Sequence, residues 1–263
     1  MRFSRSLVSL LLLCQFSNAQ HSPYYYEKKT SDYGITDEVH AQFVNRVRFF
    51  QEEGDGISNV IKKSQSGECL EFRPIGQIEY TAYFEHALQY YYDQLLSDPS
   101  RKKEDWDYHK YFDDKYVTPV GWLVFLIKVD GIEAGSWILQ MNEAEMTEHT
   151  FVNCDNIWRG PTDNYEKMED IYKDMIGYFP LMTYLRDIAK AGGSYKVEVE
   201  VYAGKMNCKS EKDRADKPMC KGEFKLTFNS EEAKALAGAG GPKKSSHDQV
   251  YYLEYGAQLR KVR

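Results

Sequence analysis

Apolar and charged residues alternate along several stretches of this chain, as they do in a strand that buries one face. In the clearest stretch, from Tyr195 to Val201, every residue between the apolar ones is charged. Asp130-Gly131 separates two apolar stretches, and this dipeptide is typical of the two-residue turn of a β-hairpin. Strands are predicted at residues 77–86, 122–129, 136–141, 195–201, 224–228 and 250–255.

Apolar residues at helical spacing predict two amphipathic helices. The first begins at a candidate N-cap, Thr36, and ends at glycines 54 and 56. Its apolar face is formed by Val39, Phe43, Val47 and Phe50. The second opens near Asp163 and closes at Gly192-Gly193, with Pro180 kinking or dividing it. The remaining segments are predicted as a solvated loop at 97–114, a connection at 142–162 and a flexible turn at 235–241.

The predicted elements follow the order helix and strands, and then helix and strands again. Strands that follow one another without intervening helices indicate an antiparallel sheet with a helix packed across it, which is the α+β class. Parallel winding would need a helix between successive strands. The chain is therefore interpreted as two copies of one plan, with a boundary near residues 155–163.

Residues 1–19 have the three parts of a secretory signal peptide. Two arginines precede an apolar run at 7–14, and small residues at 17–19 suit the cleavage site. The run is shorter than the roughly 20 residues needed to span a bilayer, and no later segment of the sequence reaches that length. We expect a secreted, extracellular protein that begins at Gln20 with a flexible arm at 20–35.

Composition narrows the choice of partners. The sequence has 34 basic and 40 acidic residues, and removal of the signal peptide would leave a net charge of about −8. This charge argues against a nucleic-acid partner, because such binding depends on Lys and Arg. The 21 tyrosines, with runs at 24–26 and 90–92, are interpreted as packing or, alternatively, as a sticky or cross-linkable extracellular surface.

Four cysteines remain once the signal peptide is removed: Cys69, Cys154, Cys208 and Cys220. An even number in an exported chain predicts two disulfides, for which three connectivities exist. Cys208 and Cys220 enclose a polar segment between two predicted strands, so we expect them to staple a hairpin. That pairing leaves Cys69 with Cys154. A zinc site is disfavoured, because the sequence has no Cys-x-x-Cys and no paired-histidine spacing.

Catalytic motifs are missing from the sequence. It contains neither the zinc-protease His-Glu-x-x-His helix nor a Gly-x-Ser-x-Gly nucleophile elbow, and two disulfides would leave no free thiol. We therefore predict no catalytic, cofactor or metal-ligating residues. Acidic clusters at 113–114, 143–148 and 163–170 leave weak contact with calcium or a mineral as an open alternative, because carboxylates suit Ca²⁺.

The second half of the chain resembles the cystatin fold, in which a helix is followed by an extended strand and a hairpin. The resemblance is carried by Gly192 to Val201, Cys208, Cys220 and Phe224 to Leu226. The first half resembles latexin-type proteins, which contain two cystatin-like modules, at residues 40–50 and 74–85. This resemblance implies one module at 36–157 and another at 158–263, each with a helix packed on an antiparallel sheet.

The resemblance also implies peptidase inhibition by surface occlusion. Two features of these families are not matched: cystatins share a Gln-x-Val-x-Gly hairpin loop that this sequence lacks, and no residue corresponds to the carboxypeptidase-blocking surface of latexin-like proteins. We expect a secreted, non-enzymatic protein whose partner is an extracellular peptidase. The alternative is a structural component of an extracellular organic matrix, mineralised or not. An unfamiliar secreted hydrolase is disfavoured.

Overall fold

The structure is a computed structural model of the chain. It describes residues 37–52, 70–101, 108–112, 116–142, 150–160, 179–189, 191–205, 210–239, 250–254 and 258–262, together with Met146, Met168, Tyr172 and Cys208. The predicted signal peptide and arm, and the second predicted helix before residue 179 apart from Met168 and Tyr172, lie outside these residues.

Four α-helices, a three-residue 3₁₀ helix at Glu211–Asp213 and eleven strands are described. The helices are α1 (Asp37–Phe43), α2 (Leu88–Leu96), α3 (Pro180–Ile188) and α4 (Ser230–Gly238). The strands are β1 (Val47–Glu52), β2 (Glu71–Phe72), β3 (Gln77–Tyr83), β4 (Tyr108–Phe112), β5 (Tyr116–Val129), β6 (Ile132–Asn142), β7 (Phe151–Arg159), β8 (Gly193–Ala203), β9 (Cys220–Phe228), β10 (Val250–Glu254) and β11 (Gln258–Val262).

The strands form a small sheet and a large one. The small sheet has the order β1-β3-β7 and is antiparallel throughout. The large sheet has eight strands in the order β11-β10-β6-β5-β8-β9-β2, with β4 also paired to β5. Two of its pairs, β10 with β6 and β2 with β9, are parallel. Mostly antiparallel strands with few helices confirm the predicted α+β class.

Aromatic side chains fill the space between the two sheets. Phe49 of the small sheet lies 4.6 Å from Phe224 of the large one, measured between ring centroids. Tyr80 lies 5.3 Å from Phe125, and its hydroxyl accepts a hydrogen bond from the indole N–H of Trp137 at 3.2 Å. Burying such rings stabilises the fold by roughly 1.5–3 kcal/mol each, so this aromatic layer holds the sheets together.

A glycine lets β1 pass close to β9. Arg46, just before β1, forms an isolated bridge with Lys221. A Cβ on the neighbouring Gly222 would collide with the carbonyl oxygen of Val47. The missing side chain therefore sets how closely the small sheet approaches the large one.

The long hairpin and the strands of the second half agree with the sequence predictions. The hairpin consists of β5 and β6, joined at Asp130 and Gly131 as expected. β8 and β9 cover the stretches predicted at 195–201 and 224–228. Val197, Val199 and Val201 are all buried, which is the physical cause of the alternation seen in the sequence.

The prediction of one long helix at the start of the described chain is wrong. α1 ends at Phe43, and Asn45 then adopts a positive φ of 63°, which turns the chain into β1. Val47, Arg48, Phe49 and Phe50 are all buried. Because both faces of β1 are covered, its apolar residues do not alternate, and their spacing imitates a helix.

Three further predictions differ from the structure. β4 lies in the predicted loop 97–114, and β7 lies in the predicted connection 142–162. α4 occupies most of the segment predicted to be a flexible turn. Its N-cap, Asn229, accepts hydrogen bonds from the backbone N–H groups of Glu231 and Glu232, and alanine favours helix.

The proposed division at residues 157 and 158 falls inside β7. The large sheet contains strands from both sides of that position: β5 pairs with β8, and β2 pairs with β9. The two halves of the chain therefore share one sheet, and the division into two modules stays a prediction.

Candidate functional site

The turn of the β5–β6 hairpin carries the most exposed large apolar side chain that the structure describes. Asp130 and Gly131 have positive φ values of 50° and 81°, as a type I′ turn requires. Ile132 follows them and is 57 % exposed. A Cβ on Gly131 would meet no atom within 4 Å, so the turn projects into solvent. We call residues 130–132 the tip.

Asp130 fastens the tip to β8. Its backbone N–H donates to the carbonyl oxygen of Lys196 at 2.9 Å, and its carboxylate accepts from the Lys196 backbone N–H at 2.9 Å. These bonds lie just beyond the last pair of the β5–β8 ladder, Val129 with Val197. The tip is therefore preorganised, and a preorganised loop loses less conformational entropy when it binds a partner.

Paired charges cover the solvent face of β8 and β9. The ammonium group of Lys196 contacts the carboxylates of Glu198 at 3.1 Å and Glu223 at 2.8 Å. These hydrogen bonds raise the pKa of Lys196. Lys225 similarly contacts Glu71 at 3.4 Å. Because each of these acids has a lysine partner, this face does not present a free acidic patch.

A lysine, a glutamate and a tyrosine meet on the same face of the large sheet. Lys128 and the Tyr202 hydroxyl both donate to one oxygen of Glu200, at 2.7 and 2.6 Å. Burial raises the pKa of Glu200, but these two bonds outweigh burial and leave the pKa below its usual value. Burial and the Glu200 carboxylate raise the pKa of Tyr202. The two hydrogen bonds therefore stabilise the ionised form of Glu200.

Charged side chains are also buried on the face of the small sheet that points away from the core. Arg48 and Glu79 are 4 % and 2 % exposed. The guanidinium of Arg48 lies 3.8 Å from the ring centroid of Phe43, the last residue of α1. A cation–π contact of this kind joins α1 to β1. His40 of α1 also hydrogen-bonds the Thr150 carbonyl oxygen at 3.1 Å.

An aromatic cluster lies at the start of α2. The rings of His86 and Tyr90 are 3.9 Å apart between centroids, and Tyr91 meets Tyr90 edge-on at 5.5 Å. Tyr90 is 45 % exposed. Tyr92, the third residue of the run, is buried, and its hydroxyl donates to the Gly204 carbonyl oxygen at 2.6 Å. We call His86, Tyr90 and Tyr91 the aromatic cluster.

Cys208 and Cys220 lie on opposite faces of the large sheet. Cys220 is paired with Val201 and belongs to the core between the sheets. Cys208 packs with Trp122 and Tyr202 in a separate cluster on the other face. Both are buried free thiols, so the predicted bridge is not formed in this structure and stays a prediction. Burial raises the pKa of Cys208 to about 11 and that of Cys220 well above the usual value.

The second predicted disulfide joins one described and one undescribed position. Cys154 lies on β7, where its backbone is opposite Tyr80 of β3. Cys69 lies outside the described residues. The Cys69–Cys154 bridge therefore also stays a prediction.

The acidic clusters predicted at 113–114, 143–148 and 163–170 fall outside the described residues, apart from Met146 and Met168 within them. Among the residues that are described, no three His, Cys, Asp or Glu side chains are placed to hold a metal ion. No helix in the described ranges is long and apolar enough to cross a membrane.

Sequence reasoning predicted the turn but missed the exposed residue that follows it. The available signal was an isoleucine directly after a type I′ dipeptide, at the first position of β6, where it pairs with Val129. The sequence left open whether the Tyr90–Tyr92 run packs or lies on the surface. It could not single out Tyr90, because consecutive residues on a helix point in directions about 100° apart and the run was not assigned to a helix.

The sequence and the fold were also compared with known proteins. No known protein family, curated protein or solved structure matches the chain.

Proposed function

We propose that this chain is a secreted, non-enzymatic protein that inhibits an extracellular peptidase by surface occlusion, and that the tip enters the peptidase. The observation that supports this proposal is that the tip projects into solvent, is held against β8 by hydrogen bonds and carries the exposed apolar side chain of Ile132. The two-module, cystatin-like arrangement belongs to the same proposal, as does export.

The contribution of the Ile132 side chain to the free energy of binding follows from its exposed surface. Ile132 is 57 % exposed, and complete burial of an isoleucine side chain contributes roughly 1.5–3 kcal/mol. Nanomolar binding needs about 12 kcal/mol. The tip alone cannot supply this, so the surface around it must also cover the peptidase. Inhibition by occlusion, with the tip as an anchor, fits this comparison.

The fixed geometry of the tip favours an inhibitor over a flexible ligand. Two hydrogen bonds between Asp130 and Lys196 hold the turn against β8. The Gln-x-Val-x-Gly hairpin of cystatins is absent from the sequence, and we propose that the tip binds the peptidase in its place.

A peptidase panel with two matched variants tests the proposal. The full mature chain is expected to inhibit a zinc carboxypeptidase or a papain-like cathepsin at submicromolar concentration. Ile132→Ala should weaken inhibition roughly tenfold, because about 1.4 kcal/mol of burial is lost. Ile188→Ala is the control, since Ile188 is also an exposed isoleucine, at 37 %. Absence of inhibition of both enzyme classes, or equal inhibition by wild type and Ile132→Ala, would refute the proposal.

A second candidate function is a structural role in an extracellular matrix, and the aromatic cluster favours it because Tyr90 within it is exposed. Exposed tyrosines form large contacts at low entropic cost. The acidic side chains on β8 and β9 do not add a mineral-binding surface to this role, because each of them is paired with a lysine. Recovery of the protein from the insoluble extracellular fraction, or binding to calcium carbonate, is the expected result. Recovery of the protein in the soluble fraction, together with no binding to calcium carbonate, would argue against this role.

A further inference from the structure

We propose that Tyr90 is a site of oxidative cross-linking, at which two copies of this chain become joined through a dityrosine bond. The oxidant is hydrogen peroxide used by an extracellular haem peroxidase. The inference rests on the proposed export, but it does not require peptidase inhibition.

Exposure distinguishes Tyr90 from the other tyrosines whose side chains are described. Of these nine side chains, five are buried and three are half-buried. Only Tyr90 is exposed within this described set, at 45 %. The buried ones are Tyr80, Tyr83, Tyr92, Tyr172 and Tyr202, and the half-buried ones are Tyr91, Tyr184 and Tyr195. A peroxidase or a second protein molecule can therefore reach Tyr90 more easily than the other eight.

The immediate surroundings of Tyr90 leave its phenol accessible. Within the described residues its hydroxyl has no hydrogen-bond partner, whereas the Tyr92 hydroxyl contacts backbone atoms of Trp122 and Gly204. The ring rests on His86, whose side chain is itself 43 % exposed. Tyr90 therefore has a fixed ring and an open hydroxyl edge.

The chemistry balances without any further reactant. Each of two phenols loses one hydrogen atom and becomes a phenoxyl radical, and one hydrogen peroxide accepts both hydrogen atoms and is reduced to two waters. The radicals couple by a new carbon–carbon bond between positions ortho to the hydroxyls. The two ring protons at these positions then move to the oxygens, which restores both aromatic rings.

Geometry selects a second copy of the chain as the coupling partner. Tyr91 is the nearest described tyrosine ring, but its plane lies at 88° to that of Tyr90. Neighbouring residues on a helix also point in directions about 100° apart, so their ortho carbons do not face one another. Coupling within the cluster is disfavoured, whereas the exposed edge of Tyr90 is open to the same edge of another molecule.

Treatment of the full chain with a haem peroxidase and hydrogen peroxide tests the proposal. Wild type should give a covalent dimer on a denaturing gel, dityrosine fluorescence and a cross-linked peptide containing Tyr90. Tyr90→Phe should lose most of the dimer, whereas the matched neighbour variant Tyr91→Phe should keep it.

Three outcomes overturn the proposal: no dimer from wild type, equal dimer from Tyr90→Phe, or cross-linked peptides that all lack Tyr90. Far-UV circular dichroism confirms that both variants are folded. The peptidase panel remains independent, because Tyr90→Phe leaves the tip unchanged and should inhibit as well as wild type does.

Discussion

Replacement of Tyr92 by phenylalanine is expected to lower the free energy of unfolding by roughly 2–6 kcal/mol, although it removes a single oxygen atom. The Tyr92 hydroxyl accepts a hydrogen bond from the Trp122 backbone N–H at 2.8 Å and donates to the Gly204 carbonyl oxygen at 2.6 Å. It therefore extends the β5–β8 ladder just beyond its last pair, Leu123 with Ala203, beside the direct bond from Gly204 N–H to the Trp122 carbonyl.

The size of this loss of stability follows from the Trp122 N–H and the Gly204 carbonyl, the two backbone groups that lose their hydrogen bond to the hydroxyl. Trp122 and Gly204 are both buried, and a buried polar group left without its partner costs about 1–3 kcal/mol. The phenyl ring stays in place, so no cavity adds to this cost. A domain is stabilised by only about 5–15 kcal/mol in total, so the loss should be easily measured.

Urea unfolding, followed by tryptophan fluorescence and far-UV circular dichroism, measures the difference. The midpoint should fall while the slope of the free energy against urea stays unchanged. Tyr90→Phe is the control, because its hydroxyl is exposed and the substitution should change stability by less than about 0.5 kcal/mol. Equal midpoints for Tyr92→Phe and Tyr90→Phe would refute the explanation that the Tyr92 hydroxyl stabilises the end of the β5–β8 pairing.

Three other predictions concern Glu200, the thiols of Cys208 and Cys220, and Gly222. The pKa of Glu200 is lowered in the folded protein, so its ionised carboxylate stabilises the fold above the usual pKa, and this contribution is lost as the pH falls through the folded pKa. In acid unfolding below about pH 4.5, the free energy of unfolding should therefore fall less steeply with pH for Glu200→Gln than for wild type. Iodoacetamide should label neither Cys208 nor Cys220 while the protein is folded, because both sulfurs are buried; mass-spectrometric detection of alkylation at either residue in the native protein would contradict this. Gly222→Ala should destabilise the protein by roughly 1–3 kcal/mol in thermal unfolding, because the new Cβ collides with β1, and an unchanged midpoint would show that β1 can move away.

The elements that could be predicted from the sequence are those with one buried face. β8 alternates because its valines point into the core and its charged residues point to solvent. The β5–β6 turn was predictable because a type I′ turn needs two residues that tolerate positive φ, and Asp130-Gly131 provides them.

Two of the elements that were missed, β1 and β7, have two covered faces or depend on distant residues. β1 is buried on both faces, so its sequence has no period of two. β7 pairs only with β3 within the described chain, a partner that is distant in sequence. The tip and the aromatic cluster depend on which residues the fold leaves exposed, and local spacing does not contain that information.

The parallel pairing of β10 with β6 has a consequence for how the protein folds while it is being synthesised. Residues 250–253 lie beside residues 136–139, so this edge of the β5–β6 hairpin stays unpaired until residues 250–253 have left the ribosome. Folding that depends on such distant contacts is slow and leaves sticky strand edges open in the meantime. Chains shortened before residue 250 should therefore aggregate during expression, even though they retain every residue of the tip.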